Sequence, residues 1–78
     1  MYWRDKLPEN LHDELDDVIK YSEFAKESRG VVAQMFHDMA EEEMEHACAI
    51  WHMMEWEGMT EGLNKHHVFE KAEEALDW

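Results

Sequence analysis

The sequence predicts an all-α fold, a helical hairpin followed by a short third helix, from three observations. Apolar residues recur at helical spacing in three separate segments, and no stretch alternates in the manner of a β-strand. Glycine occurs three times, between the segments, and proline once, just before the first segment. The chain has 78 residues, which suits one small domain, and we expect that domain to span residues 1–78.

The first helix is expected over residues 11–28. Pro8 lies just before this segment, and Asn10 is a residue type that caps helix N-termini. Gly30 can adopt the left-handed conformation that ends a helix, so the turn is expected at residues 28–30. The helical stripe is formed by Leu11, Leu15, Val18, Ser22 and Ala25.

The second helix is expected over residues 31–57, ended by Gly58, and the third over residues 64–77, capped by Asn64. Four of the methionines of helix two are expected to fill gaps in the core; they are Met35, Met39, Met53 and Met54. The other members of its apolar side are Val32, Phe36, Ala40, Ala47, Ile50 and Trp51. Helix three has a narrower stripe of Val68, Phe69, Ala72, Ala75 and Leu76.

Composition excludes several classes of function. Twenty acidic and seven basic residues give a net charge of −13, which argues against a nucleic-acid partner because phosphates attract Lys and Arg. Such a charge suits cations, a basic protein surface, or simply a solvated exterior. The single cysteine, Cys48, excludes a disulfide framework and a four-cysteine metal site. No signal peptide or membrane span is visible, so we expect a cytoplasmic protein without a membrane partner.

Two glutamates lie where an apolar residue is expected. Glu14 and Glu43 each occupy the middle of the apolar stripe of their helix, whereas Asp13, Asp16 and Asp17 point away. Glu14 precedes Arg29 by 15 residues and Glu43 follows it by 14. At the rise of a helix, these are about 22 and 21 Å from the turn. The two carboxylates are therefore expected at one level, facing the same interior.

A buried carboxylate needs a counter-charge, because an unpaired charge in a dry interior costs several kcal/mol or more. His46 follows Glu43 by three residues and lies on the same helical face, so a shared metal ion is the economical interpretation. The alternatives are a buried lysine beside the carboxylates, or a looser assembly in which they face water. Tyr21 lies on the Glu14 side of helix one. His37, with Asp38 and Glu41 nearby, is a candidate for a weaker surface site.

The segment from Met35 to Ala47, with Glu43 and His46 three residues apart, resembles the second helix of rubrerythrin-type domains of the ferritin-like superfamily. Glu14 and Tyr21 resemble the first helix of those domains, where a ligand Glu precedes a Tyr. Because Glu14 and the pair Glu43 and His46 match one of the two Glu and Glu-x-x-His sets of a ferritin-like site, the chain is similar to half of such a bundle. In plan it also resembles the two-helix ferritin-like proteins packaged inside encapsulin shells, although no shell-targeting peptide is visible.

The resemblance implies a homodimer, or a larger homo-oligomer, that forms a four-helix bundle around two iron ions per dimer. Glu14, Glu43 and His46 would be the metal ligands, and Tyr21 would join them as a catalytic residue. The implied activity is oxidation of Fe²⁺ by O₂ or peroxide. Oxygen and imidazole ligands also suit Mn²⁺, and Zn²⁺ could occupy the site adventitiously. The alternatives are a small acidic helical interaction module, phage-encoded for example, with a structural metal or none, and a DNA-mimicking inhibitor.

Overall fold

The computed structural model describes residues 1–77, which form three α-helices: α1 (Tyr2–Glu27), α2 (Gly30–Trp56) and α3 (Lys65–Leu76). No strand occurs within these residues, so the predicted all-helical fold is confirmed there; Trp78 lies outside the described residues. The two residues between α1 and α2 make these helices an antiparallel hairpin. None of the three helices combines the length and apolar character needed to cross a bilayer.

The ends of α2 and α3 lie within one residue of the predicted ends, and local backbone chemistry explains them. Gly58 takes a φ of +70° just after α2. The Gly58 N–H donates to the Glu55 carbonyl at 3.0 Å and the Met59 N–H donates to the Met54 carbonyl at 2.8 Å, the pair of bonds of a Schellman motif. Asn64 caps α3 as predicted, because its side chain accepts a hydrogen bond from the His67 N–H at 3.1 Å.

The predicted start of helix one at residue 11 is wrong, since α1 begins at Tyr2 and contains Pro8. Asn10 is therefore an interior residue and not an N-cap. A proline inside a helix removes one backbone hydrogen bond and costs about 3 kcal/mol. Tertiary contacts in the first two turns must offset this cost.

Two such contacts hold the first turns of α1 against the rest of the hairpin. Leu7 extends the apolar stripe by one turn and is only 4% exposed. The Arg4 Nε donates to the Glu57 Oε1 at 2.9 Å, and the Arg4 Nη2 donates to the Glu57 carbonyl at 3.1 Å. Because Glu57 caps the C-terminal end of α2, the guanidinium also neutralises carbonyl groups there.

The hydrophobic core lies between the two long helices and beneath α3. Trp51 of α2 packs edge-on against Phe69 of α3, with ring centroids 5.9 Å apart, which confirms the predicted core position of Trp51. The remaining buried members of this cluster are Leu7, Leu11, Leu15, Val18, Ala47, Met54 and Ala72. The third helix therefore closes one side of the hairpin.

The expectation that the apolar side of helix two is buried in the core is wrong for part of the helix, because several of these residues are exposed. Val32 is 53% exposed and Met39 is 38% exposed. Met35 and Met53 are also exposed, so of the four methionines expected in the core only Met54 is buried there. The apolar arc of α2 is wider than its contact with α1, and α3 does not cover the excess. We call this uncovered side, marked by Val32, Met35, Met39 and Met53, the front face.

Candidate metal centre

Glu14 and Glu43 meet on the front face, halfway along the hairpin. Glu14 is the thirteenth of 26 residues in α1, and Glu43 is the fourteenth of 27 in α2. Their side chains are 26% and 20% exposed, so both carboxylates are largely removed from water. The sequence predicted that the two carboxylates lie at the same distance from the turn, and their positions in the structure agree with that prediction.

His46 completes a group of three candidate ligands. Its Nδ1 lies 3.4 Å from the Glu43 Oε1 and 3.5 Å from the Glu14 Oε2. One ligand atom from each residue falls within 4.8 Å of the others, a spacing that one cation can bridge. The imidazole is 61% exposed and therefore lies at the outer side of the group. Within residues 1–77 His46 is the only basic side chain within 4 Å of either carboxylate, so no buried lysine neutralises them.

Crowding of negative charge changes the acidity of Glu43. A hydrogen bond with Glu14 raises the pKa of the Glu43 carboxyl to about 7, helped by burial and by repulsion from the Glu14 charge. His46 acts in the opposite direction, but its effect on this pKa is smaller. Around neutral pH the pair therefore tends to hold a proton. A cation placed between the two carboxylates would neutralise their repulsion, so the pair would no longer need this proton.

The polar atoms at the centre fit a divalent metal ion. The Glu14 Oε2 is buried and, within the described residues, accepts no hydrogen bond. Its contact with the His46 Nδ1 at 3.5 Å is too long to replace a good hydrogen bond. A buried carboxylate oxygen without a hydrogen bond is costly, and a metal ion is one partner that satisfies it. Two carboxylates and one imidazole are ligands that suit Fe²⁺ and Mn²⁺. One chain offers too few ligands to surround either ion, and the exposed side of His46 leaves room for more.

Tyr21 follows Glu14 by seven residues and so lies about two helical turns closer to the turn of the hairpin. It forms an aromatic cluster with Phe24 and Phe36. Its ring stacks on Phe36 at a centroid distance of 6.3 Å and meets Phe24 edge-on at 6.2 Å. The Lys20 Nζ lies 4.7 Å from the centre of the Tyr21 ring. Within residues 1–77 the structure gives the Tyr21 hydroxyl no hydrogen bond to Glu14 or Glu43. Its predicted catalytic role stays a prediction.

The sequence interpretation missed one contributor to the site. Asp17 was expected to point away, but it is half-buried, and its charge also raises the pKa of Glu43. Its carboxylate pairs with the Lys20 Nζ at 3.2 Å. The signal was present in the spacing, because Asp17 follows Glu14 by three residues and so shares its side of the helix.

A second group on α2 also brings potential ligands together. Atoms of His37, Asp38 and Glu41 lie within 4.8 Å of one another, as the sequence suggested. Asp38 accepts a hydrogen bond from Gln34 at 2.9 Å, and the Glu41 Oε1 lies 3.3 Å from the His37 Nδ1. Contacts of this kind between residues one turn apart are common on an acidic helix. This group therefore supports no metal site.

Comparison with known protein families gives one result. A family model described as Rubrerythrin matches residues 5–78, which is nearly the whole chain. Searches of curated proteins and of solved structures returned no significant match. The matched range includes all three candidate ligands.

Proposed function

Because this chain belongs to the rubrerythrin family, whose ferritin-like members typically bind iron, we propose that it is a di-iron protein that oxidises Fe²⁺. In this proposal the metal site is completed by a second copy of the chain. The observation that carries it is the convergence of Glu14, Glu43 and His46 on an exposed, largely apolar face. The resemblance described from the sequence and the family match both agree with this assignment.

Two copies of the chain together supply the ligands that one copy lacks. A two-fold dimer that joins the front faces brings four carboxylates and two imidazoles to one place. Four carboxylates balance the charge of two Fe²⁺ ions, so the loaded centre is neutral. The exposed apolar side chains around the ligands would be buried by the same contact, which excludes water from the centre. Metal binding and dimerisation are therefore expected to be linked.

The roles of the side chains follow from their positions. Glu43 would give up its proton to a bound cation, and the buried Glu14 Oε2, which accepts no hydrogen bond, would serve as a second oxygen ligand. His46 would provide a nitrogen ligand from its exposed imidazole, whose Nδ1 faces both carboxylates. A bound iron pair would supply the redox chemistry, with electrons passing from Fe²⁺ to O₂ or peroxide. The same ligands also suit Mn²⁺.

The test compares neighbouring glutamates. The protein is purified without chelator, iron per chain is measured, and oxidation of added Fe²⁺ is followed by ultraviolet absorbance. The wild type is expected to hold about one iron per chain, as in a shared dinuclear centre. Glu43→Ala should lose both iron and activity, whereas Glu42→Ala, an exposed glutamate next to it, should retain them. Equal behaviour of the two variants would refute the assignment.

The runner-up function is an acidic interaction module. The net charge of −13 favours it, because such a surface attracts cationic partners. This module would dimerise equally well with and without metal and would show no turnover of Fe²⁺. The same measurements therefore separate it from the di-iron protein.

A further inference from the structure

An apolar pocket lies on the side of the hairpin that α3 covers, between α1, the C-terminal part of α2 and the start of α3. It has a volume of about 260 Å³. Its floor is formed by the buried side chains of Leu11 and Leu15 of α1 and Met54 of α2. Its mouth is formed by less buried residues, which are Pro8, His12, Leu63 and Val68. We call this cavity the rear pocket.

The lining of the rear pocket favours an apolar occupant. Apart from the His12 imidazole, every side chain that lines it is apolar, and the three floor residues are at most 8% exposed. Water in such a cavity finds few hydrogen-bond partners, and apolar cavities of about 150 Å³ hold xenon or benzene. The rear pocket therefore suits a small uncharged molecule without hydrogen-bond donors.

Leu11 and Ala47 connect the rear pocket with the candidate metal centre. Leu11 in the floor precedes Glu14 by three residues, so the two are neighbours on the surface of α1. Ala47 follows Glu43 by four residues on α2 and belongs to the same core cluster as Leu11. Passage of a small molecule between them needs only side-chain motion, because side chains in a packed core still change rotamer.

The proposed dimer closes the more direct approaches to the metal centre. Its contact covers the front face, from which solvent reaches the two carboxylates in a single chain. On the turn side, the centre is flanked by the aromatic cluster of Tyr21, Phe24 and Phe36. The rear pocket lies on the opposite side of the hairpin from the front face, so it stays open when the front face is covered.

A larger groove at the open end of the hairpin does not offer the same approach. It has a volume of about 560 Å³, and its lining includes Lys6, Glu9, Asn10 and Asp13. Charged and amide groups retain water through hydrogen bonds, so an apolar molecule gains little there. Met53 of the front face also lines this groove, so the partner would cover part of it.

We propose that the rear pocket is the site at which molecular oxygen enters the protein on its way to the metal centre. The inference rests on the proposed function and names its oxidant. O₂ carries no charge and donates no hydrogen bond, so it enters an apolar cavity at little cost in hydration. Hydrogen peroxide donates and accepts hydrogen bonds, and a cavity without partners disfavours it. The rear pocket therefore selects O₂ over peroxide.

Dissolved O₂ is itself the probe for the first measurement, because it is paramagnetic and speeds the relaxation of nearby methyl protons. Metal-free, methyl-labelled protein is studied by nuclear magnetic resonance under O₂ and under the same pressure of N₂. The methyl groups of Leu11 and Leu15 should show a large O₂-dependent relaxation. The control is Val18, which is 0% exposed but does not line the rear pocket, and its methyl groups should show much less.

Two alanines of α2 test the path from the pocket to the centre. Ala47 follows Glu43 by four residues and Ala40 precedes it by three, and both are 0% exposed. The methyl group of Ala47 should respond to O₂, whereas that of Ala40, on the turn side of the centre, should respond less. Equal relaxation of all buried methyl groups, or a larger effect at Val18 and Ala40, would overturn the proposed entry site.

Larger side chains at the mouth test the route in iron-loaded protein. Leu63→Trp and Val68→Phe narrow the mouth, and Glu61→Trp adds a ring at an exposed loop position outside the lining. A mouth variant in which the O₂-dependent relaxation of Leu11 is lost should oxidise Fe²⁺ with O₂ several-fold more slowly than wild type. Its rate with hydrogen peroxide should be unchanged. Glu61→Trp should match wild type with both oxidants.

The outcomes separate this inference from the proposed function. If the relaxation of Leu11 persists in both mouth variants, O₂ does not enter here and the inference is overturned. Lost relaxation without slower oxidation by O₂, or equal slowing with both oxidants, would also overturn it and leave the di-iron protein intact. If wild-type protein oxidises Fe²⁺ with neither oxidant, the proposed function fails, and with it the role of the rear pocket.

Discussion

The carboxyl groups of Glu14 and Glu43 lie side by side at the midpoint of the hairpin, and their proximity raises the pKa of Glu43 to about 7. Repulsion between these two carboxyl groups destabilises the folded protein in the absence of a cation. It persists in the fold because the helices that carry it are held together elsewhere, by the core around Trp51 and Phe69. Destabilised charge at a fixed position is a common feature of functional centres.

The first prediction concerns the stability of the metal-free protein. The pKa of Glu43 is higher in the folded chain than its ordinary value of 4.5, so the folded state binds more protons between that value and about 7. The stability due to the bound proton is complete below pH 4.5 and is lost as the pH rises through about 7. Denaturant unfolding across this range should show the loss in wild type. Glu43→Gln should lack this part of the pH dependence, and identical profiles would contradict the account.

The second prediction concerns metal affinity. A cation displaces the proton held by Glu43, so binding of Fe²⁺ should weaken as the pH falls below about 7. The decrease attributable to this group should approach about tenfold per pH unit. Anaerobic titration calorimetry in buffers of different ionisation enthalpy measures the released proton. No proton release near pH 6 would argue against direct ligation by Glu43.

The third prediction concerns the front face. Met39→Glu places a charge in the surface expected to be buried by the partner and should weaken dimerisation by about tenfold or more, because an unpaired buried charge is costly. The isolated chain should stay helical, since Met39 is already 38% exposed. His52→Glu, an exposed position on the side of α2 away from Met39, is the control. Sedimentation velocity measures the association, and equal effects of both changes would exclude this interface.

The fourth prediction concerns the first turns of α1. Leu7→Ala should destabilise the protein by about 2–5 kcal/mol, the usual cost of truncating a buried leucine. Tyr2→Ala should change stability little, because Tyr2 is 79% exposed. Thermal unfolding followed by circular dichroism compares the two. A negligible effect of Leu7→Ala would mean that the helix does not extend past Pro8.

The sequence predicted those parts of the fold that depend on local chemistry. Gly58 and Asn64 end and begin helices through backbone bonds that need no distant partner, and both predictions are confirmed. The common depth of Glu14 and Glu43 followed from helix rise and a short turn alone. Only the distance of each residue from the turn was needed.

Other features depend on contacts that periodicity does not contain. Pro8 and Asn10 are the usual signals of a helix start, yet burial of Leu7 and the Arg4–Glu57 pair carry the helix through them. Val32 and Met39 have the spacing of core residues, and that spacing does not distinguish covered from exposed apolar positions. A single sequence does not reveal which neighbour covers an apolar face.

The most direct test of the central claim is to measure molecular mass and iron together. Metal-free and Fe²⁺-loaded protein are separated by size exclusion under argon, with mass from light scattering and iron from atomic emission of each fraction. A centre shared by two chains predicts that iron elutes only with species of at least twice the 9.4 kDa chain mass, at about one iron per chain. Iron held stoichiometrically by the 9.4 kDa species would contradict it, as would stable dimers that never take up iron.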